Sequence, residues 1–595
     1  MLIVAALAVL CYLNTIHDPF QWDESRYIAD NPLVKGSLGE GPRNAEFETL
    51  MRHRPVGTLS FGINYAFSRL RVEGYHAVNI TLHAMNSALL YALLLLWLRG
   101  IWTDDTRINI IAFFSAAIFA VHPIQSEAVN YVYQRHVLLA AFFSLLACLL
   151  YAVWITRMRQ SRAVYILCII ASALAMKSKE SAFTLPLLVL AYDVYLSGAD
   201  ARGRLGRILP IALTSLLIPL GMIDWNRAFS VSDLVASTTG APQYSRLDYF
   251  LTQPGVVLDY MRLLVLPIGQ NIFHAVELKT SSAQAALPLL LIAAMLFWAI
   301  MQRSSQVMER RLIGFGILWF MIALSVESSV IPIPMLMNEY RVYLPSAGLI
   351  PAMVLAIYTI GARFNASRWS AIAPLLLMAL VLAFSVATVK RNTVWQSREA
   401  LWQDAALKSP GIREVRNNYG IALREAGRSA DAAKQFIAAV EISPSYSEAW
   451  NNLGLAMLDV RRPEEAAGYF ARAINADIRS YRAYNNMGNA LRAMSRDEEA
   501  MVAYRRAIEL RPDFGEALSN LGTMLAIEGR VDEALVLLEK AVLYSPDLAE
   551  AHYNLAGAYM QIGRLEEAAG ELARYLDLRP EDQEAWRTLE SLMGD

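Results

Sequence analysis

Apolar runs recur along this chain from its first residue to about Val389, and no other feature limits its possible folds as strongly. They lie near residues 1–16, 76–98, 108–122, 136–156, 163–177, 182–196, 207–224, 286–302, 312–333, 342–362 and 370–389. The hydrocarbon core of a bilayer takes about 20 residues of helix. The runs therefore read as about eleven membrane-spanning helices, some of them short. Of the 595 residues, 55% are hydrophobic and only 18% charged, which excludes a single soluble domain and a disordered chain. Met1–Thr15 lacks the basic start and small-x-small site of a cleaved signal peptide and reads as a retained first span. Cys11, Cys148 and Cys168 all fall in apolar stretches, so they suggest core thiols and no metal or disulfide framework.

Arginine placement sets an expected orientation. Arg99 and Arg107, then Arg157, Arg159 and Arg162, then Arg202, Arg204 and Arg207, then Arg303, Arg310 and Arg311, then Arg363 and Arg368 occupy every second connection. Short Arg-rich connections face the cytoplasm. The N-terminus is then inside, and an odd number of spans leaves the C-terminal part outside, together with the 17–75 and 225–285 loops. His122, Glu127, Arg135, Lys177, Lys179, Glu180, Glu339 and Arg341 gather at the external ends of the spans. Charges near hydrocarbon are costly and face a cavity or a partner, so this set reads as one shared polar site, against the plainer reading of snorkelling side chains and structural ion pairs. The 17–75 loop is too long and polar for a simple turn and is expected to fold as amphipathic helices with Asp23 at its base.

Beyond this the chain changes character: residues 1–411 carry a net charge of +8 and residues 412–595 a net charge of −9. The scattered positive charge does not suit a nucleic-acid binder. From Arg413 the sequence repeats every 34 residues, in units starting at Arg413, Ser447, Tyr481, Gly515 and Ala549. Unit position 8 is Gly420, Gly454, Gly488, Gly522 and Ala556; position 20 is alanine in all five units; position 32 is Pro444, Ile478, Pro512, Pro546 and Pro580. This is the tetratricopeptide (TPR) pattern of paired antiparallel helices stacking into a superhelix. The expected organisation is a membrane domain over 1–389, a connecting helix over 390–412, five repeats over 413–582 and a capping helix over 583–595, all α throughout. Asn418, Asn452, Asn486, Asn520 and Asn554 hold position 6 of every unit. On the concave face such a column could grip an extended peptide backbone; alternatively the amides bond within the repeats.

Trp22-Asp23-Glu24, His53-Arg54-Pro55-Val56, Tyr75-His76-Ala77-Val78-Asn79, Leu82-His83-Ala84, Phe119 through Val129, Lys179-Glu180-Ser181 and Glu339 through Gly348 follow one another ahead of the repeats. In this order the set resembles the transmembrane-and-TPR-repeat-containing (TMTC) O-mannosyltransferases, a branch similar to the GT-C glycosyltransferases and their protein O-mannosyltransferase members. The chain departs from the family pattern at Gln134-Arg135-His136-Val137 and in having Tyr340 between Glu339 and Arg341.

The resemblance implies a GT-C-type membrane domain and a polyprenyl-phosphate sugar, mannose first, moved to Ser/Thr hydroxyls of a protein. It implies Asp23 as general base with Glu24 orienting it or the acceptor. Arg341, then Lys179 and Arg135, would hold the donor phosphate, while Glu339, His122, Glu127 and His76 line the site. No cofactor is implied; the Asp23–Glu24 pair could ligate a divalent metal, though none is indicated. A multi-pass protein of a bacterial inner membrane with periplasmic repeats, or of the endoplasmic reticulum with lumenal ones, would follow. The alternatives are a non-catalytic TPR scaffold and a same-fold transferase acting on a lipid-linked glycan.

Overall fold

A computed structural model describes residues 1–35, 51–159, 161–198, 200–222, 244–329, 331–363 and 366–594. The chain is all-helical, with no strand among the described residues. It divides into two compact units, Met1–Lys408 and Ser409–Asp595.

The first unit contains α1 (Leu2–Tyr12), α2 (Pro55–Ser68), α3 (Val72–Arg99), α4 (Asp105–Val121), α5 (Ser126–Asn130), α6 (Arg135–Thr156), α7 (Arg162–Met176) and α8 (Leu185–Tyr195). It continues with α9 (Arg204–Leu213), α10 (Leu217–Met222), α11 (Arg246–Val265), α12 (Ser282–Met301), α13 (Met308–Leu324), α14 (Tyr343–Ala362), α15 (Ala366–Asn392) and α16 (Arg398–Lys408). Each of the eleven apolar runs coincides with a helix, but they differ in reach. Among the described residues, six helices are long and apolar enough to cross a membrane, or seven if the bent pair Asp105–Val121 and Pro123–Asn130 forms one span. Leu2–Thr15 and Arg162–Met176 are apolar but shorter. By length and apolarity, six or seven of the expected spans are accounted for among the described residues. The 225–285 connection holds a helix that the sequence reading omitted: α11, whose Arg246, Asp248, Asp259 and Arg262 break its apolar character. In the 17–75 segment, a wide turn at Ser25–Ala29 and α2 are described; residues 36–50 lie outside the described residues.

Polar side chains tie these helices together at buried positions. His83 on α3 bonds the Tyr343 hydroxyl on α14 at 2.7 Å, and Asn86 donates to the same oxygen at 3.2 Å. Asn130 donates to Asn392 on α15 at 2.8 Å, and Asn392 donates to the Cys11 carbonyl on α1 at 2.8 Å. Such bonds fix helix register where apolar packing alone is non-directional.

In the second unit the first helix of each repeat begins at Arg413, Ser447, Tyr481, Gly515 and Ala549. The position-8 residue shows why it must be small. A β-carbon on Gly420, Gly454 or Gly488 would stand 2.5 Å from the ring of Phe436, Phe470 or Tyr504 on the second helix. Ala432, Ala466, Ala500, Ala534 and Ala568 are completely buried at the helix crossing. Repeat two ends its second helix at Ala476, in register with the others, although Ile478 replaces the proline.

Candidate active site

The acidic pair sits on a turn built from aromatic rings. Trp22 adopts a left-handed φ of +42°, which costs a non-glycine residue of order 1–3 kcal/mol. Its ring is held near-parallel to Tyr131 at 6.3 Å, edge-on to Trp402 at 5.6 Å and tilted against Phe273 at 6.2 Å. That clamp sets the two carboxyls that follow into different surroundings. Asp23 is half-buried and accepts from the Tyr131 hydroxyl at 3.3 Å. Glu24 is fully buried and accepts from the backbone N–H of Gln21 at 2.5 Å and of Tyr133 at 3.2 Å. Glu24 therefore pins the 21–24 turn onto the 131–134 turn, and Arg398 reinforces the joint by donating to the Phe20 carbonyl and the Ser25 hydroxyl. No group of three or more His, Cys, Asp or Glu side chains able to hold a metal ion occurs among the described residues.

Burial pushes the Glu24 carboxyl up to about 8, against the opposing pull of the Gln21, Tyr133 and Val132 N–H groups and of Arg398. An acid raised in the folded state takes up a proton on folding. Its contribution to stability is complete below the ordinary value of 4.5 and is lost as pH rises toward about 8. Thermal midpoints of the detergent-solubilised chain should fall between pH 5 and 8, windows set by those two values. Glu24→Gln should flatten that slope, and an unchanged slope would show that Glu24 is not the titrating group.

Next to this turn lies a set of ion pairs. Arg54, at the N-terminus of α2, forks onto Glu180 with contacts of 2.9, 3.1 and 2.8 Å, and both side chains remain about a quarter exposed. Lys179 pairs with Glu327 at 2.6 Å, its ammonium 4.6 Å from the centre of the Tyr340 ring. Tyr133, stacked on Tyr27 at 4.9 Å, stands within electrostatic reach of Arg54, Asp23, Glu180 and Tyr340. A small cavity is lined by Val137, Ala140, Lys179, Glu327, Tyr340 and Arg341.

The other residues singled out from the sequence are placed as follows. Arg341 lines the cavity, but its guanidinium donates to the Met335 carbonyl at 2.8 Å and the Leu336 carbonyl at 3.4 Å. Glu339 accepts from Gln270 at 2.9 Å, from the Asn271 N–H at 2.6 Å and pairs with His274 at 2.9 Å, so it fastens the 270–274 loop. Glu127 accepts the Tyr340 N–H at 3.0 Å. His122 caps the turn after α4, taking the Ile124 N–H and reaching the Leu264 carbonyl. His76 bonds the Asp18 carbonyl at 3.0 Å. Arg135 is fully buried and donates to Asn79, Asn64 and the Tyr75 and Ser60 carbonyls, with Phe61 4.4 Å from its guanidinium. These bonds join loops and helices.

In the repeat unit, the Asn452 amide donates to Asn417 at 2.9 Å, Asn486 to Asn451 at 2.9 Å, Asn520 to Asn485 at 3.0 Å and Asn554 to the Ser519 hydroxyl at 3.0 Å. The column is thus a ladder in which position 6 of one repeat bonds position 5 of the repeat before. Asn418 stands at its head with no repeat before it.

Sequence reasoning passed over Arg54, Tyr131, Tyr133 and Glu327 as site members. Arg54 was visible inside His53-Arg54-Pro55-Val56, and the aromatic pair in Tyr131-Val132-Tyr133.

Three tetratricopeptide-repeat family models match residues 399–484, 481–514 and 525–592. A protein O-mannosyl-transferase of Caenorhabditis elegans is 24% identical over 457 residues, 74% of this chain and 62% of that protein. Protein O-mannosyl-transferase TMTC4 of Homo sapiens is 25% identical over 73% of this chain and 65% of its own length, and TMTC3 of Mus musculus is 26% identical over 74% and 50%. The chain spans less than two thirds of the length of these relatives. It is a membrane protein that carries TPR repeats and resembles the TMTC proteins over about three quarters of its length.

Proposed function

We propose that this chain is a glycosyltransferase of GT-C type that moves a sugar, mannose first, from a polyprenyl-phosphate donor to Ser/Thr hydroxyls of a protein on the external or lumenal side of its membrane. The observation that carries this reading is the alignment of three quarters of the chain with proteins named O-mannosyl-transferases. The geometry supports it: a half-buried carboxylate, Asp23, accepts from Tyr131, whose ring packs on Trp22, and Tyr133 lies within electrostatic reach of both Asp23 and Arg54.

In the proposed step Asp23 takes the proton of the acceptor hydroxyl. The hydroxyl oxygen bonds the sugar's anomeric carbon as the carbon–phosphate oxygen bond breaks, and the phosphate leaves with the electron pair. Trp22, Tyr133 and Phe273 offer flat faces on which the apolar side of a sugar ring can rest. Arg54 supplies positive charge for the leaving phosphate, and a planar guanidinium fork matches phosphate oxygens well; Lys179, held by Glu327, and Arg341, held by the Met335 and Leu336 carbonyls, add charge beside it. Arg54 is engaged by a carboxylate, and a phosphate can exchange for that partner. Glu24 acts by positioning the turn and Arg135 by bracing α2 and α3. The TPR unit recognises an acceptor or partner protein.

The scaffold reading expects the polar groups to be scattered; here Asp23, Tyr133, Arg54, Glu180 and Tyr340 fall within one electrostatic neighbourhood. A second reading, transfer to a lipid-linked glycan, gains from the asparagine ladder, because amides bonded between repeats have fewer donors left for a peptide. Purified full-length chain, incubated with radiolabelled polyprenyl-phosphate mannose, glucose or N-acetylglucosamine, separates these readings. Label entering a co-purified protein or a Ser/Thr peptide from the mannose donor is the expected result. Label entering only a lipid-linked acceptor selects the second reading, and no transfer from any donor by intact protein overturns both.

A further inference from the structure

Two tryptophans reach the acidic turn from the last elements of the first unit. Trp395 closes the short helical turn Thr393–Trp395 after α15, and Trp402 lies on α16. Both are buried. The Trp395 ring lies near-parallel to Tyr131 at 6.1 Å, and the Trp402 ring meets Trp22 edge-on at 5.6 Å. Aromatic pairs favour such offset and edge-to-face arrangements, with ring centres about 4.5–7 Å apart. The two rings they touch are the two that set Asp23. Trp22 precedes it with a left-handed backbone, and Tyr131 donates its hydroxyl to the carboxylate at 3.3 Å. Each hold on Asp23 is therefore backed by a tryptophan from residues 395–402.

The segment that carries these tryptophans is itself tied to the same turn. Gln21 donates to the Trp395 carbonyl at 2.9 Å, and Arg398 donates to the Ser25 hydroxyl at 2.7 Å and the Phe20 carbonyl at 3.3 Å. Further along α16, Asp404 pairs with Arg391 on α15 at 2.6 Å and with Lys408 at 2.7 Å. The Lys408 ammonium also donates to the Gln270 carbonyl at 2.7 Å. That bond fastens α16 to the 270–274 loop, whose Phe273 is the third ring against Trp22. A left-handed φ at a non-glycine residue persists only where the surroundings over-determine it, and this bracket does so for Trp22.

We infer that Trp402, with Trp395 behind Tyr131, is a positioning residue for Asp23, acting through Trp22 to hold the turn in the conformation that presents the carboxylate. The inference rests on the proposed role of Asp23 as base. Plain core packing is the competing account, and it expects Trp402 to govern stability alone.

Kinetics and amide hydrogen exchange of the full-length chain in detergent test it together. A misplacement of about 1 Å can cost about 10²-fold in rate. Trp402→Ala should therefore lower kcat about 10–100-fold while the donor KM stays within about threefold of wild type. Trp402→Phe, which keeps an edge-on ring, should recover most of the loss. In the Asp23→Asn background Trp402→Ala should add less than about threefold, because a base that is gone cannot be misplaced. The Glu24 and Tyr27 amides, bonded to the Gln21 and Asp23 carbonyls at 2.9 Å, should exchange about tenfold faster in Trp402→Ala and return toward wild type in Trp402→Phe. Where Trp402→Ala is not monodisperse, Trp402→Leu, apolar but without a ring, carries the same expectations. Wild-type kcat in the monodisperse variant, unchanged exchange at Glu24 and Tyr27, or full multiplication of the two losses would each overturn the inference. If the wild-type chain transfers no sugar, the transferase reading fails by itself, and the exchange result alone supports or overturns the bracing of the turn by Trp402.

Discussion

Asp23→Asn should lower sugar transfer by about 10²–10⁴-fold, the typical contribution of a general base, while donor binding stays unchanged. The substitution keeps the shape of the side chain. Its amide oxygen can still accept the Tyr131 hydroxyl, which donates to Asp23 at 3.3 Å, and the Trp22 clamp involves no atom of the Asp23 side chain. What is lost is the capacity to take a proton. Turnover with labelled donor and acceptor peptide measures the first effect, and donor titration of the same preparation measures the second. The neighbouring Glu24→Gln makes a contrast, because Glu24 accepts two backbone N–H groups that an amide can satisfy only in part. Its variant should lose stability and pH response along with activity. Full transfer by Asp23→Asn would remove Asp23 from the chemistry and send the search for a base elsewhere.

How much of this was legible depends on the kind of residue. The repeat unit was readable to the residue, because position 8 must be small against Phe436, Phe470 or Tyr504 and position 20 must vanish into the helix crossing. These are steric demands that repeat every 34 residues and so leave a period in the sequence. The membrane helices were readable as apolar runs, whereas α11 was not, since four charges and Pro254 interrupt it and its burial comes from neighbours distant in sequence. Site residues were harder. Residue type and position put His122, Arg135 and Arg341 among the candidates, but a donor beside a membrane span can be spent on backbone carbonyls, and only the fold shows which carbonyls arrive. Arg341 meets those of Met335 and Leu336, and His122 that of Leu264, which lies 142 residues away. Arg54 shows the converse. It was quoted as part of a motif, and its partner Glu180 stands 126 residues further on, so no local pattern announced the fork.

Arg135→Leu should destabilise the first unit by about 3–5 kcal/mol, the range for removing one member of a buried, hydrogen-bonded charged group. Four acceptors depend on this guanidinium: Asn79 and Asn64 at 2.9 Å, the Tyr75 carbonyl at 3.0 Å and the Ser60 carbonyl at 3.3 Å. Leucine fills part of the volume and removes this donor from all four; the Tyr75 and Ser60 carbonyls keep their helical N–H bonds, while the Asn79 and Asn64 amide oxygens lose theirs, at about 1–3 kcal/mol for each buried acceptor that water cannot reach. Relaxation of α2 away from α3 would recover part of that sum, which is why the expected total is less than four independent losses. Arg135→Lys should fall between, because an ammonium has three donors and no plane with which to span Asn79 and Asn64 together. Thermal unfolding in detergent, compared at one scan rate, reads the order wild type, Lys, Leu. A phosphate-binding arginine would give a different signature, a weaker donor affinity at an unchanged midpoint. No ion pair to Arg135 occurs among the described residues, and of the carboxylates only Glu24 acts on it from a distance, so the buried charge is held by the oxygen dipoles around it, which come from the helices that Arg135 holds together.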